Sequence, residues 1–160
     1  MDESQKEKGK YYLGLACQAL YEGDIEYAID LYVRSIDACP SAEAHTYLGW
    51  AYSLMGKLEE AIGECKKAIA LDPEYGNPYN DVGAYLIEIG KYEDAVPYLE
   101  KALRAKRYDN LHYPHFNLGR VFAQRGMLLK AAEEFREALK IEPSFRLAAD
   151  SLLEITEQIH

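Results

Sequence analysis

Apolar residues recur every three or four positions along most of the chain, and polar or charged residues fill the positions between them. This spacing predicts amphipathic helices, because residues three and four apart lie on the same face of an α-helix. No segment alternates strictly between apolar and polar residues, as a half-buried strand would. We therefore predict an all-α protein, with helices at about 6–22, 25–38, 42–55, 58–71, 76–89, 92–106, 112–125, 128–141 and 145–159.

The helical pattern also repeats along the chain. The segment GKLEEAIGECKKAIALDP begins at Gly56, and a similar segment, GKYEDAVPYLEKALRAKR, begins 34 residues later at Gly90. Gly23 and Gly126 mark equivalent places, and a fixed period of this length is typical of stacked helix pairs. We predict one domain, 1–160, with four repeats at about 9–41, 42–75, 76–111 and 112–145 and a capping helix at 146–160.

The link after the third repeat departs from the pattern. Pro40, Pro73 and Pro143 end the other three repeats, because proline cannot continue a helix interior. Arg107 stands in the corresponding place of the third repeat, and the glycine spacing lengthens there to 36 residues. We expect either an extended sixth helix or an irregular loop over 108–111.

The overall charge and the cysteines exclude several classes of protein. A formal charge of −9 argues against sequence-independent binding to nucleic acid or to anionic membranes, which both depend on lysine and arginine. The charged first residues and the lack of a long apolar run predict a cytoplasmic protein. Cys17, Cys39 and Cys65 are odd in number and widely spaced, so we interpret them as small buried residues rather than as a disulfide framework or a zinc site.

Candidate catalytic residues are few. His112 and His115 could share a helix face and bind a metal, but no third ligand is evident, so two polar residues at a helix start are the favoured interpretation. The acidic pairs 59–60, 93–94 and 133–134 resemble carboxylates for acid–base chemistry. They begin each second helix, where the helix dipole favours negative charge, and this structural role is the simpler one. We predict no catalytic residue, no metal and no cofactor, and hence no enzyme.

The repeats resemble the tetratricopeptide repeat family, whose pattern combines Leu-Gly, an aromatic residue, two alanines and a closing proline. The second repeat matches the pattern with Leu48, Gly49, Tyr52, Ala61, Ala68 and Pro73. The fourth matches it with Leu118, Gly119, Phe122, Ala131, Phe135, Ala138 and Pro143. His45 and His115 depart from it at an aromatic position. The resemblance implies a right-handed superhelical solenoid, in which small residues such as Gly49, Gly83, Ala61 and Ala95 lie where helices nearly touch.

The resemblance also implies a function. Members of the family use the first helix of each repeat to line a concave groove, so the chain is expected to be a non-catalytic protein-interaction scaffold or adaptor that binds a peptide segment there. Asn80 and Asn117 are expected to hydrogen-bond the peptide, and Arg120 to pair with a carboxylate on it. The family positions carried over to this chain select Tyr47, Trp50, Asn77, Asn80, Asp81, Tyr113, Phe116, Asn117, Arg120 and Gln124.

Two further functions follow from what is known of the family. Some members bind the acidic C-terminal peptides of heat-shock chaperones through a clamp of lysine, asparagine and arginine. Neither of the two possible registers matches the clamp, so it is not predicted here. Its positions hold Leu13, Cys17, Tyr47, Asn77 and Asp81 in one register and Thr46, Trp50, Asp81, Tyr113 and Asn117 in the other. A secretion- or assembly-type chaperone that holds a client protein is the alternative to a scaffold. The partner is expected to be a protein or peptide in either case.

Overall fold

Nine α-helices and no strands make up residues 2–160, the part of the chain that the computed structural model describes. The helices are α1 (Glu3–Tyr21), α2 (Ile25–Ala38), α3 (Ala42–Leu54), α4 (Leu58–Leu71), α5 (Asn77–Ile89), α6 (Tyr92–Arg104), α7 (His112–Gln124), α8 (Leu128–Ile141) and α9 (Arg146–Ile159). The all-α prediction is confirmed. α1 begins earlier than predicted because the Asp2 carboxylate caps it by accepting a hydrogen bond from the Gln5 amide at 2.8 Å.

Helices pair within each repeat through close contacts at small residues. Ala61 and Ala95 are fully buried, and a Cβ atom placed on Gly49 would lie 2.9 Å from the Ala61 carbonyl oxygen. A Cβ on Gly83 would lie 2.4 Å from Cδ2 of Leu99. The helices therefore nearly touch at the predicted positions, and each tight turn between paired helices contains a glycine with positive φ, such as Gly90 at 92°.

The pattern of contacts places the first helices on the inner side of a curved stack. α1, α3, α5 and α7 contact one another in succession, whereas α2, α4, α6 and α8 pack mainly on the first helices. The side lined by the first helices is therefore concave.

α9 covers the end of the stack, as the sequence predicts. It packs on α8 and buries Ala148 and Ile155, the latter in a cluster with Ala132 and Phe135. Ile159, one turn beyond Ile155, is 39% exposed, so the covering face ends before the last turn.

The two histidines at the aromatic position each bond a glutamate on the paired helix. Nδ1 of His45 lies 2.6 Å from Oε2 of Glu64, and Nδ1 of His115 lies 2.7 Å from Oε2 of Glu134. Burial alone would raise the pKa of Glu64, but hydrogen bonds from His45 and Lys67 outweigh it and hold that pKa below its ordinary value. The departures from the family pattern thus become polar contacts between the two helices of a repeat.

The link between α6 and α7 is an irregular loop, so the extended-helix alternative is wrong. The Arg107 amide donates to the Glu74 carbonyl at 3.0 Å, and the Gly76 amide donates to the Arg107 carbonyl at 3.1 Å. The Arg107 guanidinium also pairs with Asp72. Proline has no amide hydrogen, so the arginine at this place allows the loop to be anchored to the loop before α5.

Hydrogen exchange should separate the anchored amides of this link from the free ones. We expect the Arg107 and Gly76 amides to exchange slowly, because each donates a hydrogen bond to the facing loop. Lys106 and Asp109 are exposed and should exchange fast. The measurement is residue-resolved exchange by NMR, and fast exchange at both Arg107 and Gly76 would show that the two loops are not joined.

Candidate functional site

A groove of about 490 Å³ lies on the concave side, between α3, α5, α7 and the start of α9. Eight of the ten residues selected from the sequence line it: Tyr47, Trp50, Asn77, Asn80, Asp81, Tyr113, Phe116 and Asn117. Arg120 and Gln124 instead line a neighbouring depression against α9, together with Glu154 and Gln158. The guanidinium of Arg120 lies 5.9 Å from the ring centre of Phe116, so the two depressions adjoin at Phe116.

Exposed aromatic rings form the walls of the groove. Three large aromatic side chains of the groove leave 38% to 45% of their surface exposed: Tyr47, Trp50 and Tyr113. Tyr47 stacks on the buried Tyr32 with the ring centres 5.9 Å apart. Because Trp50 is 45% exposed, it does not simply pack between helices. The three exposed rings offer apolar area that a partner could cover.

Several groove residues were not among the sequence predictions. They are Tyr75, Ala84, Tyr85, Tyr108, Asn110, Phe145 and Leu147. Tyr75, Tyr108 and Phe145 lie outside the first helices, and the family positions that we carried over lie only on those helices. One signal was available, since Tyr75 and Phe145 each stand two residues after a repeat-ending proline.

The floor of the groove is a chain of hydrogen bonds between α5 and α7. Nδ2 of Asn117 donates to Oδ1 of Asn80 at 3.0 Å, and Nη1 of Arg120 donates to Oδ1 of Asn117 at 3.1 Å. Both asparagines are more than nine-tenths buried. Part of the hydrogen-bonding capacity that we expected a ligand to use is thus taken up between the helices.

Asp81 is next to this floor and faces the groove. Burial raises its pKa to about 7, although the side-chain amide of Asn80 is close enough to favour the charged form. Within residues 2–160, no lysine, arginine or histidine lies within ion-pairing distance of Asp81. The groove therefore contains a carboxylate whose charge is not compensated.

The histidines considered as metal ligands have other partners. His115 bonds Glu134, and the ring centre of His112 lies 5.1 Å from that of Phe145. Burial lowers the pKa of His112. The described part of the chain contains no cluster of three His, Cys, Asp or Glu side chains placed to bind a metal ion. In the same part, no helix is both long and apolar enough to cross a bilayer.

Comparison with known proteins supplies the family. Models of the tetratricopeptide repeat match residues 42–75 and 83–144, together more than half of the chain. The type IV pilus assembly protein PilF of Pseudomonas aeruginosa is 28% identical over 95% of this chain, and the match spans 62% of that protein. The rice SGT1 homolog is 35% identical over 51% of this chain and 23% of its own length. The chain thus spans less than two thirds of each of these relatives.

Solved structures agree with this result. The structure of PilF from Pseudomonas aeruginosa superimposes with a TM-score of 0.90 at 25% identity and covers 98% of this chain and 71% of its own. The structure of YrrB, a tetratricopeptide repeat protein with an unusual peptide-binding site, gives a TM-score of 0.70 at 23% identity over 92% of this chain and 75% of its own. The predicted solenoid is confirmed, and the chain belongs to the tetratricopeptide repeat family.

Proposed function

We propose that this protein is a non-catalytic interaction scaffold or adaptor whose concave groove binds a peptide segment of a partner protein. The observation that carries the proposal is the convergence of Tyr47, Trp50 and Tyr113, three exposed aromatic rings, in one groove with a polar floor. Interfaces concentrate binding energy in such aromatic residues. Membership of a family of interaction scaffolds supports the same function.

The shape of the site supports an extended or short helical segment as the ligand. The groove and the neighbouring depression adjoin at Phe116, so a peptide could pass from Trp50 towards Arg120 and Gln124. Asn77 lines the groove, and we propose that it bonds the peptide backbone. A single groove of this kind buries less than about 1,200 Å² in total, which favours transient binding.

The groove does not suit the carboxylate clamp of the chaperone-binding members. Such a clamp needs cations facing the ligand, whereas no lysine, arginine or histidine lines this groove within residues 2–160. Asp81 would instead repel a terminal carboxylate. We therefore propose that acidic C-terminal peptides of heat-shock chaperones are not the ligands of this groove.

Replacing Trp50 with alanine should weaken binding of peptides selected against the wild-type protein from a displayed peptide library. We expect a loss of about 2 kcal/mol, roughly 30-fold, because the ring would lose its contact area with the peptide. The measurement is isothermal titration calorimetry with the selected peptides.

Tyr27→Ala is the matched control for this experiment, because Tyr27 is 53% exposed on α2 and does not line the groove. Both variants should melt close to the wild-type temperature. Peptide binding that is unchanged by Trp50→Ala and abolished by Tyr27→Ala would show that the partner uses the outer face and would contradict the proposal.

An assembly-type chaperone is the second candidate, and one observation favours it. The pilus assembly protein PilF resembles this chain over 95% of the length of this chain and has the same fold. A chaperone would keep a client soluble in a fixed stoichiometric ratio, whereas a scaffold would bridge two folded proteins. Co-expression of a captured partner with and without this chain distinguishes the two, since only a client should become insoluble in its absence.

We also propose a cytoplasmic location. Cys17, Cys39 and Cys65 are free thiols, which is usual in a reducing compartment. Fractionation of the source cells with an antibody to this chain tests the location directly.

A further inference from the structure

Asp81 is the one charged side chain among the residues of the described chain that line the groove. The others are aromatic, amide, hydroxyl or aliphatic side chains. A carboxylate so placed costs free energy unless a partner supplies the opposite charge. Its position therefore points to a cation in the ligand rather than in the protein.

Tyr75, Tyr85 and Tyr108 line the same groove as this carboxylate. Burial raises the pKa values of the three tyrosines, and the negative charge of Asp81 raises each of them further. Aromatic faces attract cations, most strongly where water is excluded. A cationic group held at Asp81 would gain from the rings as well as from the carboxylate.

The hydroxyl of Tyr85 gives an independent sign of a missing ligand. It is buried and has no hydrogen-bond partner. The nearby hydroxyl of Ser53 donates its one proton to the Trp50 carbonyl oxygen at 2.6 Å, so it has none to donate to the Tyr85 oxygen. Buried hydroxyl groups without partners are rare in folded proteins, and a guanidinium could satisfy this one because it offers five N–H donors.

We infer that the groove selects an arginine of the bound segment and holds its guanidinium against Asp81 between the tyrosine rings. The inference rests on the proposed peptide-binding function and specifies its ligand. Arginine fits better than lysine, because its planar group stacks on aromatic rings and bonds a carboxylate and a hydroxyl at once. The net charge of −9 would also attract a basic segment from a distance.

The test uses two pools of capped heptapeptides that differ at the central residue only. One pool carries arginine and the other citrulline, its neutral isostere, and the remaining positions are randomised among uncharged residues. Trp50 is the single tryptophan, so its indole N–H signal in NMR spectra of the full chain reports on the groove. Affinity is measured for the wild type, for Asp81→Asn and for Asp37→Asn, an exposed acidic residue of α2 that does not line the groove.

We expect the arginine pool to shift the Trp50 signal and to bind at least about tenfold more tightly than the citrulline pool, as for a charge-assisted contact. Asp81→Asn should reduce arginine binding to the citrulline level, and Asp37→Asn should leave it unchanged. Equal binding of both pools at Trp50 would overturn the arginine inference and leave the peptide-binding function standing. If neither pool shifts the Trp50 signal, both the arginine inference and the peptide-binding function are overturned. Equal weakening by Asp37→Asn and Asp81→Asn would assign the effect to the acidic surface and overturn the inference.

Binding of the arginine pool should also depend on pH. A bound cation favours the charged carboxylate, so affinity should rise by up to about tenfold between pH 6 and pH 8. The other titratable groups near Asp81 are Tyr75, Tyr85, Tyr108 and Cys65, whose pKa values are all raised, so they stay neutral over this range. The pH dependence should vanish in Asp81→Asn, and its persistence in that variant would overturn the inference.

Discussion

Replacing Gly83 with leucine should destabilise the fold by about 3 kcal/mol or more. A Cβ atom at this position would already lie 2.4 Å from Cδ2 and 2.7 Å from Cγ of Leu99, which is fully buried on the facing helix. A leucine adds three more carbon atoms to a space that cannot hold the first. The measurement is urea unfolding, with the free energy of unfolding extrapolated to water.

Gly63 provides the control for this substitution. It lies inside α4, and a Cβ atom there would meet nothing within 4 Å. Gly63→Leu should therefore be neutral or stabilising, by up to about 1 kcal/mol, because leucine favours a helix over glycine. An unchanged stability of Gly83→Leu would contradict the close contact of α5 with α6.

A double-mutant cycle can assign the cost to one contact. Gly83→Ala should destabilise the wild type, and much of that cost should disappear in a Leu99→Ala background, where Cγ and both Cδ atoms are gone. Residues in contact commonly show coupling of about 0.5–3 kcal/mol in such cycles. A coupling close to zero would mean that the new methyl group is accommodated by a shift of the helix rather than by Leu99.

The helices could be predicted from the sequence because the pattern that specifies them is local. Residues three and four apart share a face in every helix, and the recurring glycines mark where helices end. Gly49 and Gly83 could be placed at close contacts because the repeat assigns the same position to both. Most of the fold could therefore be predicted from the sequence.

The loop at 105–111 could not be predicted in the same way. Its conformation depends on hydrogen bonds between Arg107 and residues 74–76, which are about thirty positions away in the chain. Helical periodicity says nothing about such pairing. Tyr108 and Phe145 were missed for a related reason, since they reach the groove from loops while the family pattern describes helix positions.

The polar side chains of the groove show a second limit of sequence reasoning. Asn80 and Asn117 both line the groove, but the sequence does not reveal that they bond each other across two repeats. The state of Asp81 is equally hidden, because its pKa depends on how much water the folded walls exclude. Position along a repeat predicts where a side chain lies better than it predicts the chemical state of that side chain.

Asp81→Asn should stabilise the protein at pH 8 in the absence of ligand. The pKa of Asp81 rises from 3.8 to about 7 on folding, so the charged form is disfavoured in the folded state. Each pKa unit corresponds to about 1.4 kcal/mol, and because the side chain is partly exposed to the groove we expect a gain of about 1–3 kcal/mol rather than the full amount. Urea unfolding of both proteins measures it, with Asp37→Asn as the control for net charge.

The pH dependence of that gain follows from the direction of the shift. Between about pH 4 and pH 7 the unfolded chain has lost the Asp81 proton while the folded chain still holds it, so raising the pH destabilises the wild type through this group. The asparagine variant lacks this contribution, and its advantage should therefore grow from pH 5 to pH 8 and level off above the folded pKa. A gap between the two proteins that is independent of pH would contradict the raised pKa. A carboxylate that lowers the stability of the free protein and raises its affinity for a basic segment would be retained for binding, since an asparagine of the same shape could occupy this site at lower cost.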